Sequence, residues 1–125
     1  MQKLAELRKK ADDTGLIKAT SVKIYLDGVL EVKTAFLISP YLELNGMSSK
    51  ENGGLILPEP EIEQIFDGLV RTNFKIHMHS IGDKATQIGL KYVASAQKKY
   101  GKSKVRHCFA HLNLVREKEM KQMNE

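Results

Sequence analysis

The alternation of strand-like with helix-like segments constrains the fold of this chain more than any other feature. Three segments, 20–28 (TSVKIYLDG), 74–80 (FKIHMHS) and 104–112 (KVRHCFAHL), alternate apolar with polar residues as strands do. Helical spacing of apolar residues occurs in 2–12, 59–73, 83–100 and 116–123. This order favours right-handed crossovers and a parallel sheet. It therefore predicts an α/β fold, either an open doubly wound sheet or a barrel.

A long loop, 28–58, follows the first predicted strand and has a polar, glycine-rich centre, NGMSSKENGG. Loops of this length in small domains are more often functional or mobile than inert. The chain has 125 residues, which fit one domain. A closed eight-stranded barrel takes about 250 residues, so this chain would supply roughly three of eight strand-helix units.

The charge distribution argues against a nucleic-acid partner. Twenty Lys and Arg against fifteen Asp and Glu give a net charge of +5. The lysines are scattered and mixed with glutamates, as in REKEMKQMNE, which indicates a solvated surface.

The chain also has few features of a secreted or membrane protein. No segment approaches the roughly 20 apolar residues of a membrane span, and the N-terminus has no apolar stretch typical of a signal peptide. Cys108 is the single cysteine, which excludes an intrachain disulfide and a thiolate metal cluster. We expect a cytoplasmic protein without membrane contact.

Two pairs of histidines are candidate metal ligands. His77 and His79 share one strand face, with His79 nearer the C-terminal end, where functional loops gather in parallel sheets. Two histidines at this spacing are equally consistent with a solvated or hydrogen-bonded pair that binds no metal. On the third strand, alternation places His107, Phe109 and His111 on one face. If both strands end in histidine, a metal site is favoured, although His107 also fits an ordinary polar residue at a strand start.

Three further polar residues occupy informative positions. Lys23 lies in the middle of the first strand, where a buried amine must be paired, deprotonated or modified. Spacing alone favours a solvent-facing Lys23 on an edge strand. Asp27 precedes Gly28 and is expected to form a turn, and Asp83 is expected to be the N-cap of the third helix.

Three stretches, VKIYLDGVLEVKTA, HMHSIGDKA and RHCFAHLNLV, resemble the amidohydrolase superfamily in residues, order and spacing. The resemblance is specifically to amidohydrolase family 3, which includes N-substituted formamide deformylases, and it covers nearly the whole chain. It implies that 1–125 is a single segment of a catalytic domain with a TIM-type (β/α)8 barrel. The three strands would be its fourth, fifth and sixth.

The resemblance also implies a set of site residues. Lys23 matches the lysine that is carboxylated and bridges two metals, while His79 and His111 match ligands from the fifth and sixth strands. The cofactor of the full-length parent would be a divalent metal, with zinc expected, and the 125-residue chain would hold it incompletely or not at all. Asp27, His77, Asp83 and His107 would be surrounding groups that orient the ligands or contact a substrate.

The implied reaction is hydrolysis of an amide-type C–N bond of a small-molecule substrate by metal-activated water. The 125 residues contain no counterpart of the family's first-strand His-x-His pair or of its proton-shuttle Asp. No catalytic residue is therefore assigned, and we expect the chain alone to be an inactive fragment. Ala110 and Ser80 also depart from the residues that are common at these positions.

A non-catalytic regulatory or binding module on the same scaffold is the alternative. In either case we expect self-association through exposed strand edges.

Overall fold

Seven helices and strands follow one another in the computed structural model, which describes residues 1–123. They are α1 (Gln2–Asp13), β1 (Ser21–Tyr25), α2 (Glu59–Arg71), β2 (Lys75–Ser80), α3 (Asp83–Tyr100), β3 (Cys108–His111) and α4 (Glu117–Gln122). The strands form one parallel sheet in the order β1-β2-β3, which confirms the predicted α/β fold. The expected end of the segment at Glu125 lies outside the described residues.

One face of the sheet packs against α2 and α3 and forms the core. The strands contribute Ile24, Ile76 and Met78, as the alternation predicts, because these side chains have the same parity. Phe66 and Leu69 of α2 are fully buried against them. The predicted spacing of apolar residues on the helices is thereby explained.

A polar cluster also joins α2 to α3. The Tyr92 hydroxyl donates to the Glu59 carboxylate over 2.7 Å, and the Lys91 amine donates to the same oxygen over 2.9 Å. This contact lowers the pKa of Glu59, because the Tyr92 and Lys91 hydrogen bonds stabilise its ionised form. α3 ends at Tyr100, and its C-cap Gly101 has a φ of 89°, in the left-handed region.

The third strand is shorter than predicted, since 104–107 and 112 lie outside it. At the start of the strand the cause is His107, whose Nδ1 accepts the backbone N–H of Ile76 over 3.1 Å. A side chain thus takes the place of a strand partner, and pairing begins only at Cys108. The second strand does not end in a histidine, which the metal-site prediction had assumed for both strands. It extends to Ser80, so His79 is not its last residue, whereas His111 is the last residue of β3.

Residues 28–58 pack over the C-terminal end of the sheet. The Ile56 N–H donates to the carbonyl of Leu26, and the Phe36 carbonyl accepts the N–H groups of Lys84 and Ala85 in the first turn of α3. The loop is therefore hydrogen-bonded to the residue that follows β1 and to α3. Within residues 1–123, none of the helices has the length and apolar character needed to cross a membrane.

Candidate functional site

The candidate site lies on the sheet face opposite the helices, near the C-terminal ends of the strands. His79 is 7% exposed, and its imidazole lies between two other rings. Its centroid is 4.8 Å from that of Tyr25 and 4.5 Å from that of His111. The structure therefore brings together His79 and His111, two of the three predicted metal ligands.

His111 reaches this position through an unusual backbone conformation. It pairs in register with Ser80, whose hydroxyl contacts Thr86 of α3, so a regular strand would direct His111 toward the helices. Its φ of 80° is in a region that few non-glycine residues adopt, and its ring instead lies beside His79.

The predicted common face of His107, Phe109 and His111 is thus wrong for His111, whereas His107 and Phe109 line one cavity with Met78. Phe109 lies against Gly89 of α3, and His107 precedes the strand.

A backbone carbonyl determines which nitrogen of His79 carries its proton. The Nε2 atom is 3.0 Å from the Gly28 carbonyl oxygen. Because a carbonyl oxygen only accepts hydrogen bonds, Nε2 must be the donor, and the neutral ring then has an unprotonated Nδ1. His79 therefore has one nitrogen with a lone pair for a metal ion or another donor.

Lys23 and His77 form the next layer on the same face, away from the strand ends. They are paired in register, and Lys23 is exposed on the edge strand, as its spacing alone predicted. Its amine lies 5.4 Å from the centroid of the Tyr25 ring. Burial lowers the pKa of His77, and the charges of Lys23, Lys75 and His111 lower it further. The neutral imidazole of His77 is thereby favoured.

The Asp27 carboxylate is fully buried and accepts three backbone N–H groups. They come from Phe36 at 2.9 Å, Ile81 at 3.0 Å and Gly82 at 2.7 Å. Asp27 therefore does more than form a turn before Gly28, because it joins the loop to the segment between β2 and α3.

Asp83 is not the N-cap that the sequence predicted. Gly82 occupies that position, and Asp83 is the first residue of α3. The Phe36 carbonyl accepts N–H groups of the first turn, so the loop supplies the acceptor that a capping side chain would provide. The Asp83 carboxylate instead accepts the N–H of Ile38 over 2.9 Å and lies 3.9 Å from Arg116.

His107 lies apart from the pair formed by His79 and His111. It contacts the N-terminal part of β2 through Ile76. Its Nε2 is buried without a hydrogen-bond partner among the described residues, and burial lowers its pKa. The predicted role of His107 beside the metal ligands has no counterpart in these contacts.

Two groups at the site were not among the predicted site residues, namely the Tyr25 ring and the Gly28 carbonyl. The strand pattern placed Tyr25 on the face of Lys23, so its parity was a usable signal. Gly28 takes part through its backbone carbonyl, a group that every residue has, so the residue type does not indicate this role.

The paired imidazoles fit part of a metal site. Imidazole nitrogens are ligands for zinc and related divalent ions, and structural zinc sites use four ligands. In the part of the chain that the structure describes, no group of three or more His, Cys, Asp or Glu side chains is arranged to hold a metal. His79 and His111 would therefore supply part of a ligand set, with Lys23 as the remaining predicted member.

Comparison with known proteins gives one family and two similar folds. A model of the amidohydrolase family matches residues 1–125. Two crystal structures of uncharacterized metal-dependent hydrolases, from Pyrococcus horikoshii OT3 and Pyrococcus furiosus, superpose with TM-scores of 0.71 and 0.70. Their identities to this chain are 23% and 24%, and each comparison covers 94% of it.

A curated relative is the exoenzymes regulatory protein AepA of Pectobacterium carotovorum subsp. carotovorum. It is 30% identical over 98 residues, which are 76% of this chain. The match covers 19% of AepA, and the structural matches cover 24% of each hydrolase. The chain thus spans a quarter or less of the length of these proteins.

Proposed function

Because the chain belongs to the amidohydrolase family, we propose that it is a segment of the catalytic domain of a metal-dependent hydrolase. The observation that carries this proposal is the contact between the His79 and His111 rings, whose centroids are 4.5 Å apart. The pair lies near the C-terminal ends of parallel strands, the usual location of active sites in barrels of this type. The two metal-dependent hydrolases of similar fold support the same reading.

We place β1, β2 and β3 as the fourth, fifth and sixth strands of a (β/α)8 barrel. In such a barrel one face of every strand packs on the helices and the other faces the interior. The face with Lys23, His77 and His79 would be the interior face, and residues 28–58 would be a loop at the active-site end.

Lys23, His79 and His111 would hold the divalent metal, for which zinc is our choice, with Lys23 in its carboxylated form. A bound metal of this kind lowers the pKa of water and polarises a carbonyl group, which suits hydrolysis of amide-type C–N bonds. The chain's own contribution is to orient its ligands. Gly28 fixes the His79 ring, and the low pKa of His77 keeps that neighbouring side chain neutral.

The substrate would be a small cytoplasmic amide, with N-substituted formamides as the narrower proposal. We expect the 125-residue chain alone to be inactive. Its candidate ligands are fewer than a dinuclear site needs, and none of its residues is assigned as the proton shuttle.

A regulatory or binding module is the second candidate function. The observation that favours it is the curated relative, which is named a regulatory protein. In this case the sheet and helices would be retained for partner binding without metal chemistry.

Zinc titration of the purified chain tests the choice between these functions, with bound metal measured by elemental analysis after dialysis. We expect His79→Ala and His111→Ala each to weaken zinc binding at least about tenfold. The matched control is His107→Asn, which removes a histidine away from the pair and retains an acceptor for the Ile76 N–H. The control should bind zinc as the unmodified chain does.

Zinc affinity that is equal in the unmodified chain and in both alanine variants would contradict the metal proposal. A chain that takes up no zinc would contradict metal binding by these residues in isolation, and either result would favour the regulatory candidate.

A further inference from the structure

The buried carboxylate of Asp27 joins two segments near His79. Its Oδ2 accepts the N–H groups of Phe36 and Gly82, and its Oδ1 accepts that of Ile81. Phe36 belongs to the loop after β1, while Ile81 and Gly82 join β2 to α3. A single side chain without solvent exposure therefore fixes the relative positions of the loop and the strand end.

Backbone contacts also hold the loop at Phe36 against the segment between β2 and α3. The Phe36 carbonyl accepts the N–H groups of Lys84 and Ala85, and a Cβ atom on Gly82 would collide with that carbonyl. The loop therefore lies directly on the backbone between β2 and α3. The Asp27 carboxylate and the Phe36 carbonyl together satisfy four N–H groups at residues 81, 82, 84 and 85.

The two residues of the hydrogen bond between His79 and Gly28 lie close in sequence to the residues that the Asp27 carboxylate joins. Gly28 follows Asp27 in the chain, and Ile81 lies two residues after His79. The Leu26 N–H already donates to the His79 carbonyl, and Asp27 adds a second link through Ile81. Together these bonds set the distance between the backbone that carries the His79 ring and the carbonyl that accepts the Nε2 proton.

We propose that Asp27 is a positioning residue that holds His79 in the Nε2-protonated form, with Nδ1 directed away from Gly28. The proposal rests on the proposed function only in taking His79 as a metal ligand. The contacts of Asp27 stand without it.

A carboxylate is required at this position because both of its oxygens accept. An asparagine has one accepting oxygen, and its amide group donates, so it would leave either Ile81 or both Phe36 and Gly82 without an acceptor. Backbone N–H groups buried without acceptors are costly, and the loop is expected to separate from the strand end.

The test is hydrogen exchange measured by NMR on the 125-residue chain with labelled histidine, with no metal present. In the unmodified chain the Nε2 proton of His79 should be protected from exchange with water. In Asp27→Asn it should exchange at least about tenfold faster, because the Gly28 carbonyl no longer stays in place. Zinc affinity, measured separately, should fall about tenfold.

Thr86→Val is the matched control. It removes buried hydrogen bonds of the same segment, to Ser80 and to the Gly82 carbonyl, without touching Asp27 or Gly28. It should lower stability while leaving the Nε2 proton of His79 protected. A folded Asp27→Asn chain with unchanged protection would overturn the proposal. Equal acceleration in both variants would also overturn it, since Asp27 would then act through stability alone.

A second measurement applies if Asp27→Asn does not fold. In low concentrations of urea, the His79 Nε2 proton of the unmodified chain should lose protection together with the amide protons of Phe36, Ile81 and Gly82. Exchange of the His79 proton in a separate opening event would overturn the proposal. Because neither exchange measurement uses a metal, a failed zinc titration would leave this test intact.

Discussion

The two faces of the sheet differ in what their side chains do. On the helix face, Ile76 and Met78 are fully buried against α2 and α3. On the opposite face of the same strand, His77 is partly exposed and His79 contacts two aromatic rings. Neighbouring residues of β2 thus alternate between an apolar core and a polar, partly open surface.

The two faces of the sheet also differ in how much they contribute to stability. The helix face supplies the apolar burial that drives folding, so its residues are constrained by volume. The other face contributes less buried apolar area and carries Lys23, His77 and His79. Adjacent substitutions in β2 should therefore have effects of different kind and size.

The largest expected effect is at Met78. Met78→Ala should lower the free energy of unfolding by about 2–5 kcal/mol, because it removes a fully buried side chain and leaves a cavity. Urea unfolding followed by circular dichroism measures the change. The matched substitution His77→Ala, one residue away on the other face, should cost about 1 kcal/mol or less. Equal costs at the two positions would contradict the difference between the faces.

A change of pH should have an intermediate effect on the free energy of unfolding. Burial lowers the pKa values of His77 and His107, so the unfolded chain binds more protons than the folded chain below the ordinary imidazole pKa of about 6.5. Stability should be constant from pH 8 to 7 and should fall as the pH decreases below about 6.5. Urea midpoints across this range provide the measurement.

The variant His107→Asn should reduce this fall and keep the acceptor for Ile76. His77 should account for the part that persists. Stability that rises as the pH decreases through this range would show that the pKa shifts have the opposite sign.

The smallest expected effect is at Lys23. Lys23→Ala should change the free energy of unfolding by no more than about 0.5 kcal/mol, since the side chain is exposed on an edge strand. The same urea assay applies. A loss above about 1 kcal/mol would mean that the polar face stabilises the fold, which would narrow the difference between the two faces.

The features predicted correctly from sequence depend on periodicity and local signals. α3 continues to Tyr100, as its apolar spacing and Gly101 indicated. The alternation in β2 correctly placed Ile76 and Met78 in the core. These properties follow from the repeat of a helix or strand, so short segments of sequence contain them.

The features that were wrong depend on contacts between distant segments or on backbone conformation. The shortened β3 results from a hydrogen bond between His107 and Ile76. The carbonyl of Phe36, and not the side chain of Asp83, accepts the N–H groups of the first turn of α3. The position of the His111 ring requires a positive φ at a residue that rarely adopts one. Neither periodicity nor residue type reports such features.

The tilted contact between the Tyr25 and His79 rings gives the molecule an optical probe. The chain has no tryptophan and four tyrosines, so its intrinsic emission comes from few phenol rings. One of them lies 4.8 Å, centroid to centroid, from the candidate metal-binding imidazole. Protonation or ligation of His79 would alter the surroundings of that phenol, and tyrosine fluorescence would report the state of the site without any added label.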